Sequence, residues 1–363
     1  MATYYVDGAV GNDGNAGTSE GAGNAWATIQ KAMDTVSPGD TVYVKASATY
    51  TENVQLTTVG TSNSPIVFVG YATTANRTDR GKVTIDASGL TNCLSHSTVT
   101  SQFFYTFENF KFINAVAAGV NYISRSHVIF RNCEFNNNGG YGIFGANGFT
   151  FESCIFSGNG AEGFRVGTAA QAFGCYFAGN TSSGAYCTYG TISHSVFYNN
   201  GDDAITFLGS NGFSCIVLDC TIDGNAQNTL DGIRFPASYW GSYVAINNVI
   251  YDCTTGISGY AMGVGRFVGR NNLMNSNTTD YSDSTYETLV GEVTSAPAFT
   301  NEASQDYTLG SSSPALDAGF DAYEVMGATQ RCDIGALEST EAAGGGGGGG
   351  GASWALKDGS QLT

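Results

Sequence analysis

Asp202 and Asp203 stand side by side, and Glu162 and Asp231 fall where a coiled repeat would return the chain to the same place. Arg165 and Arg234 follow Glu162 and Asp231 by three residues, and Tyr186 shares their phase. Carboxylates grouped this way can protonate a glycosidic oxygen and activate water, or hold Ca²⁺ through oxygen ligands. Arginines neutralise a uronate, and an aromatic ring stacks on a sugar. Glu162, Asp202, Asp203 and Asp231 with Arg165, Arg234 and Tyr186 therefore form a candidate groove for an acidic polysaccharide. The catalytic candidates are Asp202, Asp203 and Asp231, and Glu162, Arg165, Tyr186 and Arg234 are glycan contacts. A purely structural alternative exists: Asp after Asn199-Asn200-Gly201 also suits a turn entering a strand.

These residues meet only if the chain returns to register, and a repeat supplies that register. Its units read Asn132-Cys133-Glu134-Phe135, Ser153-Cys154-Ile155-Phe156, Gly174-Cys175-Tyr176-Phe177, His194-Ser195-Val196-Phe197 and Asp219-Cys220-Thr221-Ile222. Weaker copies begin at Asn109, Asn247 and Asn271. The second residues of these units are 20 to 28 positions apart. Such drift suits coils whose loops vary in length while their strands do not. Five residues beyond, Asn138, Asn159, Asn180, Asn200, Asn225 and Asn277 predict an amide ladder at a corner. A second strand follows in each coil, for example Ala204-Ile205-Thr206-Phe207. Alternation there sends Ile205 and Phe207 inward, and Thr206, Arg165, Tyr186 and Arg234 outward. Strands this short bury an apolar face only by stacking about 4.8 Å apart. Cys133, Cys154, Cys175 and Cys220 share an inward phase and read as reduced, buried side chains.

Composition agrees. The 363 residues are 42% hydrophobic and only 12% charged, which allows a sizeable core and argues against disorder. The net charge of −17 excludes nucleic acid or an anionic membrane as an expected partner. With three His and no C-x-x-C pair, no transition-metal centre is expected. No signal peptide is visible at Met1-Ala2-Thr3-Tyr4, and no apolar run reaches 18 residues, so no membrane insertion is expected.

A solenoid must cap its ends. Trp26, Ile29, Ala32, Met33 and Val36 have helical spacing, which predicts a short capping helix within 24–36, stopped by Pro38-Gly39-Asp40. Tyr4-Tyr5-Val6-Asp7, Trp26-Ala27-Thr28-Ile29, Pro38-Gly39-Asp40-Thr41-Val42-Tyr43-Val44 and Tyr50-Thr51-Glu52-Asn53-Val54 resemble the opening of the pectate-lyase-like right-handed parallel β-helix superfamily. Asp306-Tyr307-Thr308-Leu309, Ser313-Pro314-Ala315-Leu316-Asp317 and Asp333-Ile334-Gly335-Ala336-Leu337-Glu338 resemble the closing segment of bacterial and phage surface β-helix proteins. The resemblance implies an all-β, right-handed parallel β-helix. The expected organisation is a cap over 1–40, the β-helix with its closing segment over 41–338, a glycine-rich tether over 339–351 and a terminal peptide over 352–363.

The resemblance also bears on activity. Gly201-Asp202-Asp203-Ala204-Ile205 resembles the paired-Asp motif of polygalacturonases, but their Asn-Thr-Asp, Gly-His-Gly and Arg-Ile-Lys motifs are missing. A lyase needs a basic residue, and no Lys lies between 112 and 356. The ending lacks the hydrophobic sorting signal of bacterial surface proteins. Eight Gly followed by Trp354, Lys357 and Asp358 look like the C-termini of phage virion proteins, which would make those three residues attachment contacts. The leading expectation is thus a structural subunit of a virion or extracellular assembly, a tail spike, fibre or decoration protein. Its partners would be other virion or assembly proteins, held through the tail, and a surface polysaccharide. By likeness to tail spikes a homotrimer is an expected assembly. No cofactor is required, with Ca²⁺ the one ion the carboxylates would accept. The alternatives are a polysaccharide lyase or glycoside hydrolase acting on an acidic polysaccharide, and a bacterial adhesin.

Overall fold

The computed structural model describes residues 1–96, 103–225, 229–236, 240–259, 266–282, 289–320 and 332–336. Parallel strands stack into a solenoid with three faces. The groove face runs through Val54–Leu56, Asn92–His96, Ile205–Phe207, Asp231–Arg234, Thr255–Ser258 and Thr279–Tyr281. The second face begins at Thr3–Asp7 and runs through Thr41–Lys45 and Ile66–Tyr71 to Phe213–Leu218, Gly241–Ile246 and Arg266–Arg270. Between them, Ala118–Arg131, Tyr141–Glu152, Phe164–Phe173 and Ala185–Ser193 serve both faces. Two of these pairings shift register midway, as between Val166 and Ala169, where the strand turns the corner. The third face is a ten-stranded parallel sheet from Thr49–Tyr50 to Leu273–Asn275.

The corners show why these residues make these coils. Asn109, Asn132, Ser153, His194, Asp219, Asn247 and Asn271 all have φ between 50° and 65°, and Gly174 has φ 60°. They are the first residues of the repeat units, and they turn the second face into the third. Left-handed backbone suits Gly and Asn and penalises branched side chains. The next residue points inward. Cys133, Cys154, Cys175 and Cys220 are buried there, and all nine cysteines are in the thiol form. In later coils Asn248 and Asn272 take the same place and bond side chain to side chain at 3.0 Å.

A second left-handed corner lies at Asn114, Asn137, Gly158, Gly179, Asn199 and Asn225. Beyond it runs the amide ladder. Asn138 donates to Asn159 at 3.0 Å, Asn159 to Asn180 at 2.8 Å and Asn180 to Asn200 at 2.9 Å. Asn225, expected in this ladder, stands at the left-handed corner instead, where Asn199 stands one coil earlier. One extra residue, Gly224, separates the strand end Asp223 from the corner, whereas Asn199 directly follows Tyr198, so the phase shifts by one residue.

The interior is one continuous apolar core. Phe112, Phe135, Phe156, Phe177 and Phe197 stack coil on coil with ring centroids 4.5–5.1 Å apart. The capping helix is shorter than its spacing suggested, Ile29–Thr35. Trp26 lies in a bridge with Val6 instead, because strand pairing claims its backbone. Thr28 caps the helix, and the Glu52 carboxylate accepts from the Ile29 and Gln30 amides at 2.9 Å. At the other end, Tyr307, Leu309, Ala315, Ile334 and Ala336 cover the outer side of the third face over Tyr176, Val249, Tyr251 and Leu273.

Asn159 satisfies Phe135 O and Asn180 while accepting from Asn138. Asn159→Ala therefore strands several buried polar groups and should cost about 3–5 kcal/mol in chemical denaturation. Asn225→Gly keeps a left-handed corner and should cost less than about 1 kcal/mol. Equal losses would refute the ladder's role.

Candidate functional site

The groove face carries an outward row set by strand register. Ser95 pairs with Asn121, Asn121 with Phe144, Phe144 with Arg165, Arg165 with Tyr186, Tyr186 with Thr206, Thr206 with Arg234 and Arg234 with Ser258. Three residues earlier, at the mouth of each strand, the same registers align Glu162, Ser183, Asp203 and Asp231. Their backbones link directly: Gly163 N donates to Ser183 O, Gly184 N to Asp203 O and Ala204 N to Asp231 O. Six of the seven predicted site residues of the shaft lie in these two rows, and Asp202 adjoins them beside Asp203.

Asp203 is the most buried acid of the set, 1% exposed. Its Oδ2 accepts from Thr206 Oγ1 at 2.7 Å and lies 3.6 Å from the Arg234 guanidinium. Its Oδ1 is buried with no hydrogen-bond partner. Burial pushes the carboxyl up to about 6; Asp231 and Asp202 add to the rise, and Thr206 and Arg234 oppose it. Glu162 is also buried, and burial raises its carboxyl although Arg165 lies 3.4 Å away. Asp231 is half-buried and accepts from the Ser258 hydroxyl.

Arg165 does more than was expected of it. Its guanidinium lies over the Tyr186 ring, 4.6 Å from the centroid. Tyr186 thus offers one ring face to Arg165 rather than to a sugar, because register makes the two side chains neighbours. Beyond Arg165 the face dips into an open cleft of about 330 Å³, lined by Phe144, Arg165, Tyr186 and Leu208 among others. Gly145 and Gly167 form part of its floor. Sequence reasoning placed Thr206 outward without giving it a role and missed Ser183 and Ser258, the other hydroxyls between the charges. Coil phase would have found them, since Ser183 stands at the phase of Glu162 and Asp203. It also missed the cleft, which depends on the strand bend near Gly167. His194 is at a corner, its Nε2 3.7 Å from Asp219 and its ring against Phe173, and takes no part in the groove. Among the described residues, the three carboxylates that converge within 4.8 Å are not these but Asp223, Asp252 and Glu302.

Residues 92–231 match the family described as right handed beta helix region. The structure is similar to that of pectate lyase Pel9A, with TM-score 0.60 and 16% identity over 93% of this chain and 96% of that one. The chain has a right-handed parallel β-helix fold. The β-helix is also similar to an alginate lyase from Paenibacillus sp. str. FPU-7, with TM-score 0.50 and 14% identity over 74% of this chain and 96% of that one. No curated protein sequence matches the chain. Both of these neighbours are named as polysaccharide lyases, and nothing in the comparisons supports the expected virion or tail-spike role. Trp354, Lys357 and Asp358, with the glycine run, lie outside the described residues. No described helix is long and apolar enough to cross a membrane.

The folded state binds the Asp203 proton more tightly than the unfolded chain does. Its contribution to stability is complete below the unfolded value of 3.8 and is lost as pH rises through about 6. Asp203→Asn should flatten this fall between pH 4 and pH 7 by on the order of 2 kcal/mol. Denaturation curves at both pH values would show it, and an unchanged slope would make Asp203 an ordinary carboxylate.

Proposed function

We propose that the groove face binds an acidic polysaccharide and cleaves it, with Asp203 supplying the proton at the glycosidic oxygen. The observation that carries this reading is a buried carboxyl, raised to about 6, with one oxygen unpartnered and Arg234 beside the other. A carboxyl tuned to near-neutral pH suits general acid catalysis, and such tuning clusters at functional sites. Arg165 and Arg234 supply positive charge along the row, matched to the carboxylates of a uronate chain. The names of the neighbours, a pectate lyase and an alginate lyase, agree with an anionic polysaccharide. Cleavage by hydrolysis needs a second carboxylate to activate water, a role open to Asp231 or Asp202. Cleavage by elimination needs a base at the uronate, and Arg165 and Arg234 are the cations of the groove row among the described residues. Ca²⁺ bound between substrate and the carboxylates of Asp202 and Asp231 would serve either route.

The test is release of ends from pectate, alginate and a neutral glucan, with and without Ca²⁺. Wild-type protein should release ends from an anionic polymer at a rate that falls above about pH 6, and Asp203→Asn should be at least about 100-fold slower. Unsaturated ends would indicate elimination, and reducing ends alone hydrolysis. Binding without any release would sink the proposal and leave a glycan-holding shaft.

Arg165→Ala should raise KM for the anionic polymer about tenfold or more, with a smaller change in kcat. An unchanged KM would remove Arg165 from substrate binding.

A further inference from the structure

A second cluster of carboxylates lies on the opposite side of the solenoid. Asp223 ends the third-face strand Thr221–Asp223, and in register beside it is Tyr251, which ends Val249–Tyr251. Asp252 follows at a left-handed corner with φ 56°. The third acid, Glu302, comes from the closing segment, where it opens a short turn of helix between two strands, Phe299–Asn301 and Asp306–Leu309. This hairpin is seated on the shaft: Phe299 packs on Tyr251 at 5.4 Å, and the Tyr307 hydroxyl donates to Asp223 Oδ2 at 2.7 Å. One carboxylate oxygen from each of Asp223, Asp252 and Glu302 lies within 4.8 Å of the others. Oxygens bound to Ca²⁺ at about 2.3–2.6 Å are separated by up to about 5 Å, so the three fit around one ion.

Acids alone would not make a site, because exposed carboxylates often cluster without a ligand. Tyr251 adds an independent observation. Tyr251 is 3% exposed, and its buried hydroxyl makes no hydrogen bond of ordinary length. That hydroxyl faces Asp223 and Glu302. A buried phenol oxygen without a close partner is costly, and a cation held by the same carboxylates would offset part of that cost through the oxygen lone pair. The donor set is all oxygen, without His or Cys, and it comes from a corner, a strand end and a loop. Such a set suits a hard ion with tolerant geometry, Ca²⁺, over a transition metal.

We propose that Asp223, Asp252 and Glu302, with the Tyr251 hydroxyl facing them, bind one Ca²⁺ that clamps the closing hairpin to the third face. The site is separate from the groove, and its role is structural. Asp223 and Asp252 belong to consecutive coils and Glu302 to the segment that covers them. One ion would therefore hold three turns of chain that are distant in sequence.

The full-length protein, stripped with EDTA, is titrated with Tb³⁺ while tyrosine is excited. Saturable, Ca²⁺-displaceable emission is expected, since Tyr251 and Tyr307 border the site. Ca²⁺ should raise the Tm of the stripped protein by about 5 °C. Glu302 is exposed, so Glu302→Gln should fold normally, bind Tb³⁺ at least tenfold more weakly and lose the Ca²⁺-dependent rise in Tm. Two results would overturn the proposal: no saturable emission with a Tm indifferent to Ca²⁺, or binding that survives Glu302→Gln and so places the ion elsewhere.

Discussion

Two left-handed corners per coil are the constraint on which the rest of this protein depends. At one, Asn132, Ser153, Gly174, His194 and Asp219 turn the chain; at the other, Asn137, Gly158, Gly179 and Asn199 do so. A residue with positive φ reverses the chain in minimal space and leaves both flanking peptides free to pair with the coils above and below. With the corners fixed, the strands between them repeat at constant phase. Loops elsewhere lengthen without cost to register, as the steps of 20 to 28 residues between repeat units illustrate. The inward Cys and Asn stacks and the aromatic column then follow from which side of the strand each residue occupies.

That same register builds the groove. Arg165, Tyr186, Thr206 and Arg234 come from four successive coils and form one row only because the corners hold phase. Asp203 is buried at the mouth of its strand by the coils on either side, and burial raises its carboxyl. Ser183 lies between Glu162 and Asp203, two coils apart, and its hydroxyl meets Thr206 at 3.1 Å. The interposed hydroxyl separates two acids that would otherwise be stacked at coil spacing. Solenoid geometry thus makes an environment in which the Asp203 carboxyl is raised to about 6 while Arg234 stands beside it.

Most of the fold was legible because it rests on periodic side chains. The Cys133, Cys154 and Cys175 phase marked an inward position, and the Asn ladder marked a corner. What could not be read depended on competition between local preferences. The spacing around Trp26 is helical, yet pairing with Val6 claims that backbone and the helix starts at Ile29. Asn225 has the residue type of the ladder but the backbone of the neighbouring corner, because Gly224 is inserted between the strand Thr221–Asp223 and that corner. Within the site, the charged residues were visible and the hydroxyls that join them were not, since Ser and Thr are ordinary in any turn. Tyr186 has the residue type of a sugar platform, but strand register puts Arg165 over its ring. The virion role expected from the terminal glycine run has no support from the fold, which is shared with polysaccharide lyases.

The central claim is that the groove row is where an anionic saccharide meets a tuned acid. The most direct measurement is a crystal structure of Asp203→Asn with a uronate oligosaccharide. Substrate carboxylates should lie at Arg165 and Arg234, with a glycosidic oxygen within hydrogen-bond reach of residue 203. An oligosaccharide bound on another face, or in the groove with no glycosidic oxygen near residue 203, would contradict the account.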